Sequence, residues 1–254
     1  MPDADTVARA VDIVQRAGQL TLQWFQSPSL AVERKRDGTP VTEADRAGER
    51  FIRDELHRYF PDDGIVGEEF PAHPGTSGRT WYIDPIDGTK AFSHGVPLYS
   101  NLLALHDQQG PAIGVINIPA LGETVHAGRG SGCFLNGAPC RVSATAALAD
   151  AYVMTSGLRY WPRSALENLL ASPCTLRTWG DGYGYLLVAT GRVDAMIDPE
   201  VKLYDVAAMP VILHEAGGRF TDLAGRERAD GGSGIATNGV LHEDLLRMVG
   251  ESAG

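Results

Sequence analysis

Cysteine is scarce in this chain, and so are long apolar runs. The 254 residues contain three cysteines, Cys133, Cys140 and Cys174. Their odd number and the lack of a CxxC spacing argue against a disulfide framework and against a zinc site. No segment reaches the ~18 apolar residues that a membrane-spanning helix needs. The first five residues include two aspartates and no basic residue, which is not typical of a secretory signal. We therefore expect a protein of the reducing cytoplasm that has no membrane partner.

Basic residues are also few. Lys and Arg number 22 against 32 Asp and Glu, so the formal net charge is −10. A duplex-binding surface needs clustered cations, and the longest basic run is the short stretch 34–36. The composition therefore excludes nucleic acid as an expected partner. By contrast, the 43% of hydrophobic residues are enough for a sizeable core.

The spacing of apolar residues predicts helices first and short strands next. An amphipathic helix is predicted from residue 4 to about 25, and a turn at 37–40. A second helix is predicted from Thr42 to about residue 59, with Thr42 as N-cap and Asp45 in a capping box. Strands are predicted at 65–67, 80–84, 98–105, 112–118 and 124–128.

From about residue 150 the pattern becomes an alternation of strands and helices. It runs through residues 151–155, 166–170, 174–178, 182–191, 193–197, 204–215 and 241–249. Strands followed by βα units predict an α+β protein with two layered halves, about 1–145 and 146–254. No Pro/Ser-rich linker separates them, so we expect residues 1–254 to form one compact body.

The most informative segment is Asp84-Pro85-Ile86-Asp87-Gly88-Thr89, which follows an apolar predicted strand. An Asp-Pro or Asp-Gly pair alone is usually an ordinary turn. Here two carboxylates and the Ile86 carbonyl form an all-oxygen cluster, the ligand type that Mg²⁺ prefers. The N–H groups of Gly88, Thr89 and the following turn would face an anion such as phosphate.

Two more acidic positions make this cluster coherent. Glu68 ends the preceding strand, and Asp205 opens an apolar helix. Alone, Glu68 would be a solvated loop charge and Asp205 a helix-start residue. If both converge with Asp84 and Asp87, their repulsion requires compensation, for which divalent cations are the natural candidates. Two or more such ions would activate a water molecule and stabilise the leaving oxygen of a phosphate ester.

With these motifs the chain resembles the inositol monophosphatase family of Mg²⁺-dependent, lithium-sensitive phosphatases. Order and spacing agree over almost the whole chain. The matching segments are residues 39–45, 67–69, 84–89, 191–194, 204–208 and 215–218. The resemblance implies an αβαβα layered sandwich and, as is common in the family, a homodimer. Tyr204 departs from the pattern, since the family usually has Trp before its metal-binding Asp.

The resemblance also implies roles for individual residues. Asp45 and Thr89 would orient and deprotonate the attacking water, with Glu68 as a further catalytic residue. Asp87, Gly88, Thr89 and Asp205 would contact the substrate. The metal ligands would be Glu68, Asp84, the Ile86 carbonyl, Asp87 and Asp205, which would hold two or three Mg²⁺ ions or Mn²⁺ in their place.

Residues 177–185 bear on the substrate. Inositol-specific relatives tend to have Gly-Ser and small apolar residues there, whereas this chain has Gly180-Asp181 followed by aromatic residues. With Lys90 after Asp-Gly-Thr, this resembles the histidinol-phosphatase branch. Arg177, Asp181 and Asp198 are then candidate substrate contacts, the two carboxylates facing the amine of L-histidinol phosphate. An ordinary strand-to-helix turn is the alternative interpretation of this stretch.

Three functional hypotheses follow. The first is a phosphatase for a small phosphorylated metabolite, L-histidinol phosphate, in histidine biosynthesis. The second is an inositol-1-phosphate or broader sugar-phosphate phosphatase. The third is a non-catalytic regulatory protein on the same fold, which has no chemical need for the six residues Asp45, Glu68, Asp84, Asp87, Thr89 and Asp205 together.

Overall fold

The structure, a computed structural model, describes residues 2–28, 30–35, 38 and 40–250. Asp37 and Thr39 of the predicted turn lie outside the described residues. Over the described ranges, no helix is both long enough and apolar enough to cross a membrane.

Two long helices form one outer layer. Helix α1 spans Ala4–Thr21, and Asp3 caps it by accepting a hydrogen bond from the Thr6 N–H at 2.8 Å. Its end at Thr21, rather than near residue 25, corrects the prediction, because residues 22–26 form turns. Helix α2 spans Glu43–Tyr59, and its capping box between Thr42 and Asp45 is confirmed.

The first half continues as a seven-stranded sheet. Its strands, in sheet order, are β3 (Gly64–Gly67), β4 (Thr80–Asp87), β5 (Ser100–Asp107), β6 (Gly110–Ile118), β7 (Glu123–Gly128), β8 (Gly132–Leu135) and β9 (Ala138–Pro139). Strands β3 and β4 are parallel, and the other pairs are antiparallel. A separate hairpin pairs β1 (Val32–Arg34) with β2 (Pro40–Thr42), and helix α3 (Thr89–Ser93) follows β4.

The second half holds a five-stranded sheet. Its order is β11 (Thr175–Arg177), β10 (Tyr152–Met154), β12 (Ala195–Asp198), β14 (Gly234–Thr237) and β13 (Arg219–Thr221). Its helices are α4 (Arg163–Ala171), α5 (Asp181–Ala189), α6 (Leu203–Val206), α7 (Met209–Glu215) and α8 (His242–Val249). Strands β13 and β14 had not been predicted, and the helix predicted over 204–215 is two short helices.

The apolar clusters show how the layers stack. One joins α1 and α2 to one face of the large sheet, through side chains such as Ile13, Ile52 and Trp81. A second fills the space between the two sheets and contains α5 and α7. A third packs α4 and α8 on the outer face of the small sheet. The order helix, sheet, helix, sheet, helix is the αβαβα sandwich, and the predicted α+β fold class is confirmed.

Candidate active site

A cavity of about 500 Å³ opens where the carboxyl ends of β3 and β4 meet α5 and α6. Because β3 and β4 are parallel, the residue after β3 and the last residues of β4 lie at the same edge of the sheet. The cavity is lined by nine of the residues predicted from sequence: Glu68, Asp84, Ile86, Asp87, Gly88, Thr89, Asp181, Asp198 and Asp205. Long-range folding therefore collects residues that are up to 137 positions apart (205 − 68).

The end of β4 is distorted in a way that exposes its polar groups. The register with β5 shifts between Asp84 and Asp87. The Pro85 carbonyl in this shift accepts a hydrogen bond from Asn101 Nδ2 at 2.7 Å, and Asn101 Oδ1 accepts one from Asn117 Nδ2 at 2.9 Å. These buried amides hold the bulge from behind, so that both aspartates face the cavity. Pairing buried polar groups in this way avoids the cost of leaving them unsatisfied.

Gly88 follows the bulge with a φ of 82°, a left-handed conformation that favours glycine. A Cβ at this position would also lie 2.9 Å from Asp181 Oδ2. The tight turn brings Thr89 Oγ1 within 3.1 Å of the Ile86 carbonyl oxygen and 3.4 Å of Asp45 Oδ1.

Asp45 lies behind Thr89, fully buried. Its Oδ2 accepts hydrogen bonds from the Thr42 N–H at 2.7 Å and the Thr42 hydroxyl at 2.5 Å. Its Oδ1 is the oxygen directed at Thr89. Burial raises the pKa of Asp45 to about 6, although the Thr42 hydrogen bonds oppose the shift. One carboxylate thus caps α2 with one oxygen and presents the other to the site.

Lys35 forms an ion pair with the Glu68 carboxylate. Its Nζ donates to Glu68 Oε1 at 2.7 Å and to Glu69 Oε1 at 2.6 Å. Burial alone would lower the pKa of Lys35, but the hydrogen bonds to the two glutamates outweigh it and raise that pKa. The ammonium therefore supplies positive charge at the edge of the carboxylate cluster.

Glu49 on α2 holds the loop that carries Glu68. Its side chain is fully buried; Oε2 accepts the Glu69 N–H at 2.7 Å, and Oε1 accepts Arg53 Nε at 2.7 Å. Arg53 in turn donates to the Phe70 carbonyl at 3.1 Å. A Cβ at Gly67 would lie 2.1 Å from Glu49 Oε1, so this clamp needs glycine at the end of β3.

The buried carboxylates carry strongly shifted pKa values. Burial, followed by the negative charges of Glu68, Asp87 and Asp205, raises the pKa of Asp84 well above its ordinary value. Burial raises the pKa of Asp205 to about 7, against the lowering effect of the Lys202 N–H that Asp205 accepts at 2.7 Å. Asp87 shifts in the same direction, through burial and then Asp181 and Asp205. Cations that enter such a cluster would favour its ionised form.

The donor set fits a hard divalent cation. Four carboxylates and one backbone carbonyl, that of Ile86, are all oxygen donors, as Mg²⁺ requires. Among the described residues, no three His, Cys, Asp or Glu side chains already stand in an arrangement that holds a metal. The reason is visible in their partners: Glu68 is turned to Lys35, and Asp205 to the Lys202 N–H.

The start of α5 forms the opposite wall. Asp87 Oδ2 accepts hydrogen bonds from Ser100 Oγ at 3.0 Å and from the Gly182 N–H. Asp181 has a φ of 56°, and its N–H donates to Ser156 Oγ at 2.9 Å. Burial, and then the charge of Asp198, raises the pKa of Asp181 to about 6.

Asp198 lines the cavity, but both of its carboxylate oxygens already accept hydrogen bonds from neighbouring residues. Its Oδ1 accepts the Ser156 N–H at 2.8 Å, and its Oδ2 accepts Ser156 Oγ at 2.9 Å and Tyr185 Oη at 3.2 Å. Through Ser156 it holds the backbone of Asp181 in place. Arg177 is exposed, is not among the residues lining the cavity, and donates to the Leu176 carbonyl.

Sequence reasoning missed Lys35, Glu49, Asn101 and Ser156. The first is a single lysine in a short basic stretch, and the others are ordinary polar residues of a helix, a strand and a loop. No local spacing separates them from surface residues, because each acts across a distance of at least 16 residues in the chain.

Comparison with known proteins agrees with this geometry. The family model described as the inositol monophosphatase family matches residues 3–253. The chain is 44% identical over 246 residues to a histidinol-phosphatase of Chlorobaculum parvum, covering 95% of each, and 42% identical to one of Mycobacterium tuberculosis, covering 95% and 96%. Its fold is similar to the Thermotoga maritima inositol monophosphatase structure, with TM-score 0.89, 33% identity and 96% of each chain covered. The chain belongs to the inositol monophosphatase family.

Proposed function

We propose that this phosphatase hydrolyses L-histidinol phosphate to L-histidinol and phosphate. The observation that carries the phosphatase assignment is the carboxylate cluster at the ends of β3 and β4 beside the Asp45–Thr89 pair. The substrate is supported by the relatives named histidinol-phosphatase and by the acidic wall at Asp181.

Divalent ions are a general requirement of the family. In this chain we assign Glu68, Asp84, the Ile86 carbonyl, Asp87 and Asp205 to hold two or three Mg²⁺, with Mn²⁺ as a substitute. When bound, these ions would supply charge to the phosphate oxygens and acidify water. Glu68, whose Oε1 accepts a hydrogen bond from Lys35, would then share its negative charge between the ammonium and the metal ions.

Asp45 and Thr89 prepare the attacking water. The single hydrogen of the Thr89 hydroxyl has two acceptors within reach, the Ile86 carbonyl and Asp45 Oδ1, so Thr89 Oγ1, which lines the cavity, keeps a lone pair that can receive a water hydrogen. With a pKa of about 6, Asp45 is mostly ionised above pH 7, so it can accept the Thr89 hydroxyl proton while Thr89 Oγ1 takes the proton that the water loses. The backbone N–H groups of Gly88 and Thr89 are assigned to the phosphate.

The wall formed by the start of α5, opposite the phosphate turn, would contact the alcohol end of the substrate. Histidinol carries a protonated amine, whereas inositol carries neutral hydroxyl groups. Asp181 lines the cavity next to Gly88, so its carboxylate lies beyond the phosphate turn, where that amine would lie. Asp198 acts as a positioning residue through Ser156, and Arg177 receives no role because its side chain lies outside the cavity.

The test is a comparison of kcat/KM for L-histidinol phosphate, inositol-1-phosphate and an aryl phosphate in the native chain and in Asp181→Ala. A charge-assisted hydrogen bond contributes roughly 1.5–3 kcal/mol, which corresponds to about 10- to 150-fold. We expect Asp181→Ala to lose that factor on histidinol phosphate and to keep its rate on the aryl phosphate. Excess chelator should abolish every activity.

Two outcomes would overturn the assignment. Better turnover of inositol-1-phosphate by the native chain would transfer the function to the second hypothesis. If Asp181→Ala lost kcat/KM equally on L-histidinol phosphate and on the aryl phosphate, Asp181 would be assigned to the fold rather than to substrate recognition.

The cellular setting is part of the same proposal. We infer a cytoplasmic homodimer that acts in histidine biosynthesis as one body over residues 1–254. The apolar cluster between the two sheets, which joins both halves, supports the single body. Lithium should inhibit, because a small hard cation can compete for the oxygen ligands. Sedimentation equilibrium tests the dimer, and an assay with lithium at limiting Mg²⁺ tests the competition.

A further inference from the structure

Two of the three cysteines lie side by side at the edge of the large sheet, away from the candidate active site. Cys133 is on β8, and Cys140 directly follows β9. Their Sγ atoms are 3.5 Å apart and share a hydrogen bond. Neither residue lines the phosphatase cavity. A disulfide requires an S–S distance of about 2.05 Å, so side-chain rotation has to close a gap of about 1.5 Å.

The backbone between the two cysteines already has the geometry of a cross-linked hairpin. Leu135 pairs with Ala138 and Phe134 with Pro139, which places Cys133 opposite Cys140. The Cys140 N–H donates to the Cys133 carbonyl at 2.9 Å. Directly opposite residues of an antiparallel pair have Cα atoms about 4.5–5.5 Å apart, inside the range that disulfides occupy.

The hairpin turn is held firmly. Asn136 and Gly137 have φ values of 48° and 81°, as a two-residue type I′ turn requires. The Asn136 side chain accepts the Thr124 N–H at 2.8 Å and donates to the Gly122 carbonyl at 2.9 Å. Because β7 and its preceding turn fix the hairpin in this way, the two thiols are kept on one face at contact distance.

The two thiols also differ in the way that a disulfide exchange needs. Cys140 is partly exposed, whereas Cys133 is buried at 3% exposure. The hydrogen bond between the two thiols and the positive charge of Arg192 lower the pKa of the Cys140 thiol, although burial opposes the shift. The same hydrogen bond, together with burial, raises the pKa of Cys133. Cys140 is therefore the thiol that meets an oxidant, and Cys133 is the one that resolves the product.

We propose that Cys133 and Cys140 are a redox-sensitive modification site that forms a reversible intramolecular disulfide. The oxidant is a small-molecule disulfide of the glutathione class. The Cys140 thiolate attacks one of its sulfurs, forms a mixed disulfide and releases one small thiol. Cys133 then loses its proton to solvent, attacks Cys140 Sγ and releases the second thiol. Overall, two protein thiols are oxidised and one small disulfide is reduced to two thiols.

The reduced native protein is treated with oxidised glutathione, and the remaining thiols are blocked with N-ethylmaleimide. The masses of the products are then measured by mass spectrometry. Trypsin places both cysteines in one peptide, which should be two hydrogen atoms lighter and carry no alkyl group. Chymotrypsin can cut between them after Phe134 or Leu135, and the two pieces should stay linked until a reductant is added. The oxidised protein should melt about 5 °C higher, since the cross-link restricts the unfolded chain.

Cys174 and single variants are matched controls. Cys174 is partly exposed and receives a hydrogen bond from Ser172 Oγ, but no second thiol is paired with it among the described residues. It should form only the mixed disulfide with glutathione, as should Cys140 in the Cys133→Ser variant. Phosphatase activity should stay within about twofold on oxidation, since the pair lies outside the cavity. Glutathione retained on Cys140 in the native protein, or no reaction there while Cys174 reacts, would overturn the proposal.

Discussion

Divalent metal binding should weaken about tenfold when the pH is lowered from 8 to 6, because Asp205 then carries a proton. The pKa of Asp205 is about 7 in the metal-free protein. The carboxyl group is thus about nine-tenths protonated at pH 6 and about one-tenth at pH 8. A cation has to displace this proton before Asp205 can bind it, which costs about 1.4 kcal/mol at the lower pH. Asp84 and Asp87, whose pKa values are also raised, act in the same direction.

The same pKa shifts determine whether the free energy of unfolding rises or falls with pH. A carboxyl group whose pKa is raised by folding binds its proton more tightly in the folded state. For Asp205, stability is therefore highest below the unfolded pKa, near 3.8, and decreases as pH rises through about 7. Asp45 and Asp181, whose pKa values are raised to about 6, lower the stability further as the pH rises to about that value. Added Mg²⁺ should offset these losses, so the rise in melting temperature that it causes should be larger at pH 8 than at pH 6.

Isothermal titration calorimetry with Mg²⁺ at pH 6, 7 and 8 measures this directly. Repeating each titration in two buffers of different ionisation enthalpy gives the number of protons released per metal. The Asp205→Asn variant should bind more weakly and release fewer protons at pH 6. Asp62→Asn, on an exposed loop, is the control and should behave as the native chain. Equal affinity at pH 6 and pH 8, with no proton release, would refute the reasoning.

Three further variants test other parts of the site. Asp87→Asn should abolish phosphate release and leave the metal-free melting temperature equal or higher. The asparagine amide oxygen can still accept hydrogen bonds from Ser100 and Gly182, and one negative charge that repels its neighbours is removed. Glu49→Gln should weaken Mg²⁺ binding about tenfold and cost about 1.5–3 kcal/mol of stability, because the charge that holds Arg53 and the Glu69 N–H is lost. Lys35→Met should lower metal-free stability and increase the stabilisation by Mg²⁺, because Glu68 and Glu69 lose their cation.

Calorimetry with and without Mg²⁺ and a phosphate-release assay decide all three. For Glu49, the matched control is Glu43→Gln, at an exposed position of the same helix. Near-native turnover by Asp87→Asn would show that Asp87 is not a ligand. If Glu49→Gln lost stability but kept its Mg²⁺ affinity, the clamp would serve the fold alone. An unchanged response to Mg²⁺ in Lys35→Met would mean that the ammonium does not compensate the cluster.

Local patterns predicted the parts of this protein that depend on neighbours in the chain. The capping box of Asp45 needs a spacing of three residues, and the turn at Gly88 needs its own conformational freedom. The amphipathic spacing of the first residues likewise predicted helix α1, although it placed the end of the helix about four residues too late. The acidic motif after the apolar strand indicated a metal and phosphate site before any contact was known.

Elements whose identity depends on distant partners could not be predicted in this way. Strands β13 and β14 are short, and they are strands because they pair antiparallel to each other and to β12. Helix α1 ends at Thr21, where the Thr21 hydroxyl bonds back to the Gly18 carbonyl and meets Tyr99 from a distant segment, although the apolar pattern continues to Phe25.

Tertiary structure also decided which residues serve the site. It placed Lys35 on Glu68 and Glu69 and put Ser156 between Asp181 and Asp198. It left Arg177 outside the cavity and brought Cys133 to Cys140, although an odd number of cysteines had argued against a disulfide framework.

The sequence by itself determined the chemistry that is present, since it fixes the side-chain types and their local spacing. Which groups meet was decided by strand register and layer packing, because a hydrogen bond or an ion pair depends on distances of a few ångströms between segments far apart in the chain.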